Sequence, residues 1–469
     1  MSSIIATDTN RSRASRMLAG FGRLMQQNRH VIQRIQWTVV LFYAVLIIVP
    51  AVHPLPPHSA HIWDNVTLFA QFLFWGIWWP FVLLSMVLLG RVWCGVFCPE
   101  GTISEWASKH GRHGAIPRWV RWGGWPFVAF VGTTVYGQML SVYQYPKATL
   151  LILGGSTVGA LIVGYLYGRN VRVWCRYLCP VNGVFGLLSK LAPVSFRTDP
   201  QQWQASRARG ERPEAVNCPT LLPLKDLQSA SNCHSCGRCQ GHRDAIDLRF
   251  RAPGSEVVHE SRYRATAGEL ILITFGLCGI AVGAFHWSAS PWLIEAKQWI
   301  ALWLIDADWM WPLQTHAPWW IFTNYPGQND VFNLLDGTLL LAYIGTTGLV
   351  LGSVLTGLLF AARRSLAPAS HGALYHLAHA LIPIAGCGVF LGLSALTVSM
   401  LRAEHVPLFW VGSVRAVLLG STALWSLGLF WQISGKYNDH AVRRCLGTGF
   451  GALAIAVVVW AWWLLFWGW

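Results

Sequence analysis

"VTLFAQFLFWGIWWPFVLLSMVLLGRVWCGVFCP", residues 66–99, decides how this chain is built. It opens as an apolar run long enough to cross a bilayer, which takes roughly 17–25 residues. It closes in a cassette of two cysteines and a proline, R-V-W-C-x-x-x-C-P. The cassette returns as "RVWCRYLCP", residues 172–180, again directly after an apolar segment. Each copy leads into a short amphipathic tail ending in Ser–Lys, at Ser108 and Lys109 and at Ser189 and Lys190, and the interval between the copies is the same throughout. The repeated unit is therefore a hairpin of two spans, a cassette and a tail. Duplication of such a unit faces the two cassettes across a pseudo-twofold axis and brings four thiols together.

The rest of the chain follows the same pattern. Of 469 residues, 54% are hydrophobic and 12% charged, with 28 Trp and 45 Gly, whereas a soluble domain carries about 25% charged residues. The apolar runs predict an all-α polytopic membrane protein of about nine transmembrane helices with a small cytoplasmic ferredoxin-like insertion. The expected spans are about 37–53, 66–90, 123–142, 148–168, 267–287, 333–361, 373–400, 409–432 and 446–468. This divides the chain into a basic tail (1–36), the duplicated hairpins with their cassettes (37–190), the ferredoxin-like region (191–266) and a five-helix C-terminal membrane domain (267–469). Residues 1–36 are polar and basic before any apolar run, unlike a secretory signal. Lys and Arg mark the cytoplasmic flanks of spans. Arg11, Arg13, Arg16, Arg23, Arg29 and Arg34 precede the first span, and Arg91, Lys109, Arg112, Arg118 and Arg121 follow the second. Arg363, Arg364, Lys436, Arg443 and Arg444 fall on the same side. The pattern puts the N-terminus and both cassettes at the cytoplasmic surface of a bacterial inner membrane. The net charge of +15 is read as this topology signature and as attraction to anionic lipid, not as nucleic-acid binding.

The polar stretch after the second cassette contains "NCPTLLPLKDLQSASNCHSCGRCQG". Cys233, Cys236 and Cys239 have the C-x-x-C-x-x-C spacing that curls backbone around one iron–sulfur cube, and Cys218 with Pro219 supplies a remote fourth thiol. Gln240 to Arg243 stand where a bacterial ferredoxin run has its further cysteine, so this is half of a two-cluster ferredoxin, complete for one cluster. Zinc is the alternative, since His234 lies inside the loop and Cys/His sets suit zinc. Disulfides are disfavoured in a reducing compartment. Cys94, Cys98, Cys175 and Cys179 form the second set, for another 4Fe–4S cluster at the membrane surface. Redox-active dithiols within each cassette, or a purely structural role, remain open for them.

These cassettes, followed by a ferredoxin-like cysteine set, resemble the membrane polyferredoxin family. That family includes the membrane ferredoxin of periplasmic nitrate reductase pathways, the membrane domain of the nitrous-oxide reductase regulator and the cytochrome oxidase accessory ferredoxin. The resemblance covers about residues 37–250 and implies electron transfer by one or two 4Fe–4S clusters. This chain departs from the family in having one atypical ferredoxin motif in place of two. Its five-span second half is similar in layout to the polyferredoxin component of ferrous-iron uptake systems. That likeness implies a periplasmic or membrane redox partner, an iron permease and a cupredoxin-like protein among them.

The second half offers few chemical handles. A transmembrane haem needs two imidazoles from different helices at matched depth, and no such pair stands out. His376 and His379, with His371 just before, read as residues near a span end. Arg415 and Asp336 are ionisable residues within spans, where charge is costly and often functional. Arg415 is a candidate for a quinone carbonyl, with Asp336 as its partner if their spans adjoin. A haem or quinone is thus left open. The Trp-rich loop 288–332 reads as an interfacial helix, with Glu295, Asp306 and Asp308 facing outward. Cys278, Cys387 and Cys445 read as incidental. No phosphate loop or catalytic triad is present, which favours an electron carrier over a group-transfer enzyme. A maturation factor supplying electrons for metallocofactor insertion, and a redox-regulated metal transporter subunit, are the alternatives.

Overall fold

The computed structural model describes residues 13–57, 59–211, 213–367, 370 and 372–469; Arg11 and His371 lie outside them. A helix α1 (Arg13–Gln27) is followed by eight helices long and apolar enough to cross a membrane. In chain order the hairpin half holds α2 (Arg29–Val52), α3 (Val66–Leu89), the amphipathic α4 (Pro99–His110), α5 (Trp125–Met139), α6 (Pro146–Leu166) and the short α7 (Asn182–Ser189). The insertion contributes a two-stranded antiparallel sheet, β1 (Val194–Thr198) and β2 (Ile246–Phe250), in which Phe196 pairs with Leu248. The second half contains α8 (Ala267–His286), α9 (Pro291–Asp306), α10 (Leu334–Ser365), α11 (Gly372–Ala403), α12 (Val411–Ser434) and α13 (Ala441–Gly468).

Two boundaries differ from expectation. Only Asn28 separates α1 from α2, so the first long helix starts at Arg29, inside the stretch read as a tail. The nine expected spans become eight long helices and the 15-residue α5. At 1.5 Å per residue, α5 covers about 22 Å, short of a hydrocarbon core of about 30 Å. It nevertheless crosses the bundle. Both cassettes line one cavity, so the chain between them makes an even number of crossings, and α6 supplies one of them.

Contacts define two faces. On the face opposite the cassettes, Thr323 N donates to Met139 O at 2.8 Å, Tyr145 Oη to Asp330 at 2.8 Å, and Ile62 N to Glu404 at 2.7 Å. On the cassette face, β2 carries α1, with Gly22 and Met25 close against Gln240 and Gly237. The other side of α1 leaves Met17, Phe21 and Leu24 exposed. α9 lies at the opposite face with Leu304 as its one buried side chain, exposing Trp292, Trp299 and Trp303.

The core sits where the two halves meet. Leu187 and Leu188 of α7 pack into one apolar cluster with Leu272 and Leu277 of α8, Leu359 of α10 and Leu381 of α11. α8 and α10 approach through Gly279, Gly348 and Gly352, where a Cβ would meet backbone or the rings and branches of the facing helix. Small residues at such crossings let lipid-embedded helices gain dispersion contact that the hydrophobic effect does not supply there. A buried ionic junction ties the halves together: Lys190 Nζ lies 2.5 Å from Glu269, and His379 Nε2 lies 3.2 Å from the other oxygen of the same carboxylate.

Candidate functional site

Each cassette folds as one wide turn. Trp93–Phe97 and Trp174–Leu178 are π-helical, closed by Cys98 N donating to Trp93 O and Cys179 N to Trp174 O, both at 2.9 Å. Such turns are rare and cluster at functional sites. The proline then ends the turn, and Pro99 takes the first helical position of α4, where its missing N–H costs nothing. The two copies interlock. Arg172 of the second cassette donates to the carbonyl of Cys94 in the first at 2.5 Å, and Trp174 Nε1 donates to Glu100 at 3.0 Å. Arg91 reaches Asn182 at 2.9 Å, with Cys94 Sγ 3.7 Å away. Cys94, Cys98, Cys175 and Cys179 thereby line a single cavity of about 240 Å³ that runs on between aromatic side chains to Tyr143 on the far side.

The ferredoxin-like loop sits directly on the first cassette. Cys218, Cys233, Cys236 and Cys239 line one narrow cavity of about 20 Å³ with Phe196 and Leu227. The loop's tight path uses Ser235 and Gly237 at positive φ, 48° and 75°. Gly95 is what allows the contact: a Cβ there would overlap the carbonyl oxygen of His234 and stand 3.1 Å from Cys236 Cα. The second cassette carries Arg176 at the equivalent place. An open polar cleft of about 800 Å³, walled by Arg29, Gln33 and Lys109, reaches Gly95 and Cys236 from the cassette face.

The surroundings suit a bound anion. Arg91 and Arg172 are 2% and 1% exposed, and a buried charge without a counter-charge is expensive. Glu105 takes up part of it, 2.9 Å from Arg172 and 2.5 Å from Arg238. Arg91 Nε, a terminal nitrogen each of Arg172 and Arg176, and His234 Nδ1 stay buried without a hydrogen-bond partner. Donors left over in this way fit a negatively charged, sulfur-rich group held by four thiolates. A single ion fits less well. Among the described residues no three His, Cys, Asp or Glu side chains converge on one metal ion, whereas a cubane spreads its thiolates over different irons.

A family match falls on the cassettes. Residues 71–118 and 150–198, each running from within the second helix of a hairpin through the cassette that follows it, match the family described as a 4Fe-4S binding domain. Over those residues the duplicated unit is similar to a 4Fe–4S binding domain. The resemblance to membrane polyferredoxins is borne out there, and iron–sulfur is the cofactor. YccM of Escherichia coli, whose name assigns it provisionally to electron transport, is 27% identical over 187 residues, covering 34% of this chain and 50% of its own length. The regulatory protein NosR of Pseudomonas aeruginosa is 26% identical over 190 residues, 35% of this chain and 25% of its own. The chain thus spans half or less of the curated relatives it matches. No solved structure matches it. The loop with Cys218, Cys233, Cys236 and Cys239 lies outside both 4Fe–4S segments.

Burial governs the thiols of both sets. Desolvation, then the neighbouring Cys175 and Cys94, holds the Cys98 thiol well above its usual range. Burial pushes Cys175 up to about 12 against the pull of Arg172. Burial followed by Cys236 pushes Cys233 up to about 12. Burial, then Cys233, Cys236 and Cys218, raises Cys239. Thiols of the same set therefore feel one another, across the two cassettes in one case and between loop and remote cysteine in the other. Burial and then Arg91, Arg172 and Arg176 hold the His234 ring neutral.

The remaining candidates stand away from the cysteine sites. His376 and His379 are not surface residues at a span end but fully buried. His376 faces Tyr437 Oη at 2.9 Å and Val257 O at 2.7 Å, and His379 faces Glu269, which leaves no opposed imidazole pair for a haem among them. Asp336 caps α10 through Asn333 and pairs with Lys297 at 2.5 Å rather than with Arg415. Arg415 stacks on the Phe466 ring at 4.2 Å. Sequence reasoning counted Arg91 only as a topology charge and gave no role to Arg172, Glu105 or Gly95. The repeated R-V-W lead-in and the Gly-for-Arg difference between cassettes were the available signals.

Proposed function

We propose that this protein is a membrane electron carrier with two 4Fe–4S sites, one held by Cys94, Cys98, Cys175 and Cys179 and the other by Cys218, Cys233, Cys236 and Cys239. The observation that carries the reading is that each set of four thiols lines one buried cavity and that the cavities adjoin. When bound, such clusters supply one-electron redox chemistry. The chain's own residues do the rest. Arg91 and Arg172 offset negative charge, Glu105 fixes Arg172 in place, and the Trp and Phe side chains of the bundle shield the cassette thiols. The relatives' electron-transport and regulatory names support the reading.

Positive flanks support a cassette face on the cytoplasmic side of a bacterial inner membrane. Electrons then enter from a cytoplasmic donor, through the polar cleft that reaches Cys236, or from the quinone pool. They leave toward a periplasmic or membrane redox partner, with ferrous-iron uptake the setting implied by the layout of the second half. The aromatic extension of the cassette cavity toward Tyr143 is a path and a volume for an apolar redox molecule between the two faces. The test is reconstitution of anaerobically purified protein in vesicles, with a reductant on the cassette side and an impermeant ferric chelate on the other. Reduction of the chelate that disappears in a Cys98→Ser variant supports the proposal. A rate equal to protein-free vesicles overturns the transmembrane direction.

A further inference from the structure

One residue lines the cavities of both cysteine sets. His234 lies between Cys233 and Cys236, is 3% exposed and lines both cavities. Its backbone carbonyl rests on Gly95, the position where the second cassette has Arg176, while Pro219 beside Cys218 accepts from the Arg172 N–H of the second cassette at 2.7 Å. Its Nδ1 is sealed from solvent and has no hydrogen-bond partner. A buried ring nitrogen left unpaired bears the full loss of its hydration, and native interiors satisfy such groups in the great majority of cases. The cations acting on the ring are Arg91, Arg172 and Arg176, all three from the cassettes.

We propose that His234 is a positioning residue for the cassette cluster: its ring fills the wall between the two sites and hydrogen-bonds a sulfur of the group held by Cys94, Cys98, Cys175 and Cys179. This rests on the reading that both cysteine sets hold 4Fe–4S clusters. Hydrogen bonds to cluster sulfurs are among the levers that set reduction potential. A donor favours the more negatively charged, reduced state, so His234 raises the potential of the cassette cluster relative to the same site without it. The ring adds no ligand to iron, and the clusters assemble without it.

The experiment is an EPR-monitored redox titration, with iron and acid-labile sulfide analysis, of the anaerobically purified full chain and its His234→Leu and His234→Gln variants. Leu fills the space without a donor, and Gln keeps an N–H. Both variants are expected to retain the parent's iron and sulfide. In His234→Leu the signal that a Cys98→Ser variant removes shifts to lower potential while the other signal holds, and Gln restores part of the shift. An unchanged potential in His234→Leu, or an equal shift of both signals, overturns the proposal. Loss of iron in both variants overturns it too, since His234 is then a ligand. If the parent itself contains no iron–sulfur signal, the two-site reading fails first, and that outcome is separate from a failure confined to His234.

Discussion

Arg172 and Glu105 show how much of this site rests on single residues. The ion pair is buried, with Glu105 6% and Arg172 1% exposed, and removing one partner of such a pair costs roughly 3–5 kcal/mol. Glu105→Gln is therefore expected to lower the unfolding stability of the protein by about that amount, read from detergent-solubilised denaturation. Burial alone raises the Glu105 pKa, but Arg172 and Arg238 overcome it and the net value lies below 4.5. A carboxyl depressed on folding contributes stability that is complete above its unfolded value and fades as pH falls through the folded one. The parent should thus lose stability on acidification below about 4.5, and Glu105→Gln should flatten that part of the curve; an unchanged acid limb contradicts the pairing. Gly95 is as specific. Overpacking costs about 1–3 kcal/mol, and here the added methyl meets backbone, so Gly95→Ala is expected to lift the ferredoxin-like loop and lower its iron content. Full iron in that variant contradicts the close contact. The role of Gly95 was hidden in the sequence because its meaning lies in what packs on it from residues far along the chain.

At the level of elements, the C-x-x-x-C cassette reads from spacing as two thiols on one side of a helix, and the structure replaces that with a π turn ended by proline. The helical hairpins and the long spans were legible because apolar length is written locally. The exceptions have local physical reasons. α5 is cut short by Gly124 and Pro126 at one end and by the turn after Met139 at the other, and α2 extends back to Arg29 because its first turns face the polar cleft instead of lipid. The histidines were misplaced for a different reason: His376 and His379 look interfacial in a hydropathy window, and only the fold brings Tyr437, Val257 and Glu269 onto them. The raised thiol pKa values belong to this scale as well, since they arise when two turns meet. Cluster binding must displace those protons, so iron retention is expected to fall as pH is lowered, measured by iron content after incubation with a chelator. Retention that does not vary with pH contradicts buried, protonated thiols in the unloaded sites.

For the whole molecule, the sequence carried the composition, the repeat and the cysteine spacings from which two sets of four are proposed. It did not carry the adjacency of the two sets, which depends on the loop folding back over the first cassette and α1 holding it from outside. It also did not show that Glu269 meets Lys190 and His379 where the two halves pack. Orientation belongs to this scale. Cys445 is the exposed cysteine on the cassette side of α13, and labelling of intact inverted vesicles by an impermeant maleimide, absent from right-side-out spheroplasts, is the expected result; the reverse pattern contradicts a cytoplasmic cassette face. The central claim is that the two cassettes form one site beside a second. Iron and acid-labile sulfide per chain, measured on anaerobically purified parent, Cys98→Ser and Cys175→Ser proteins, test it most directly. Two cubanes give about eight irons in the parent, and either substitution should remove the same cluster and leave about four. A parent with about four irons or fewer, or single variants that each lose only part of the cassette signal, contradicts it.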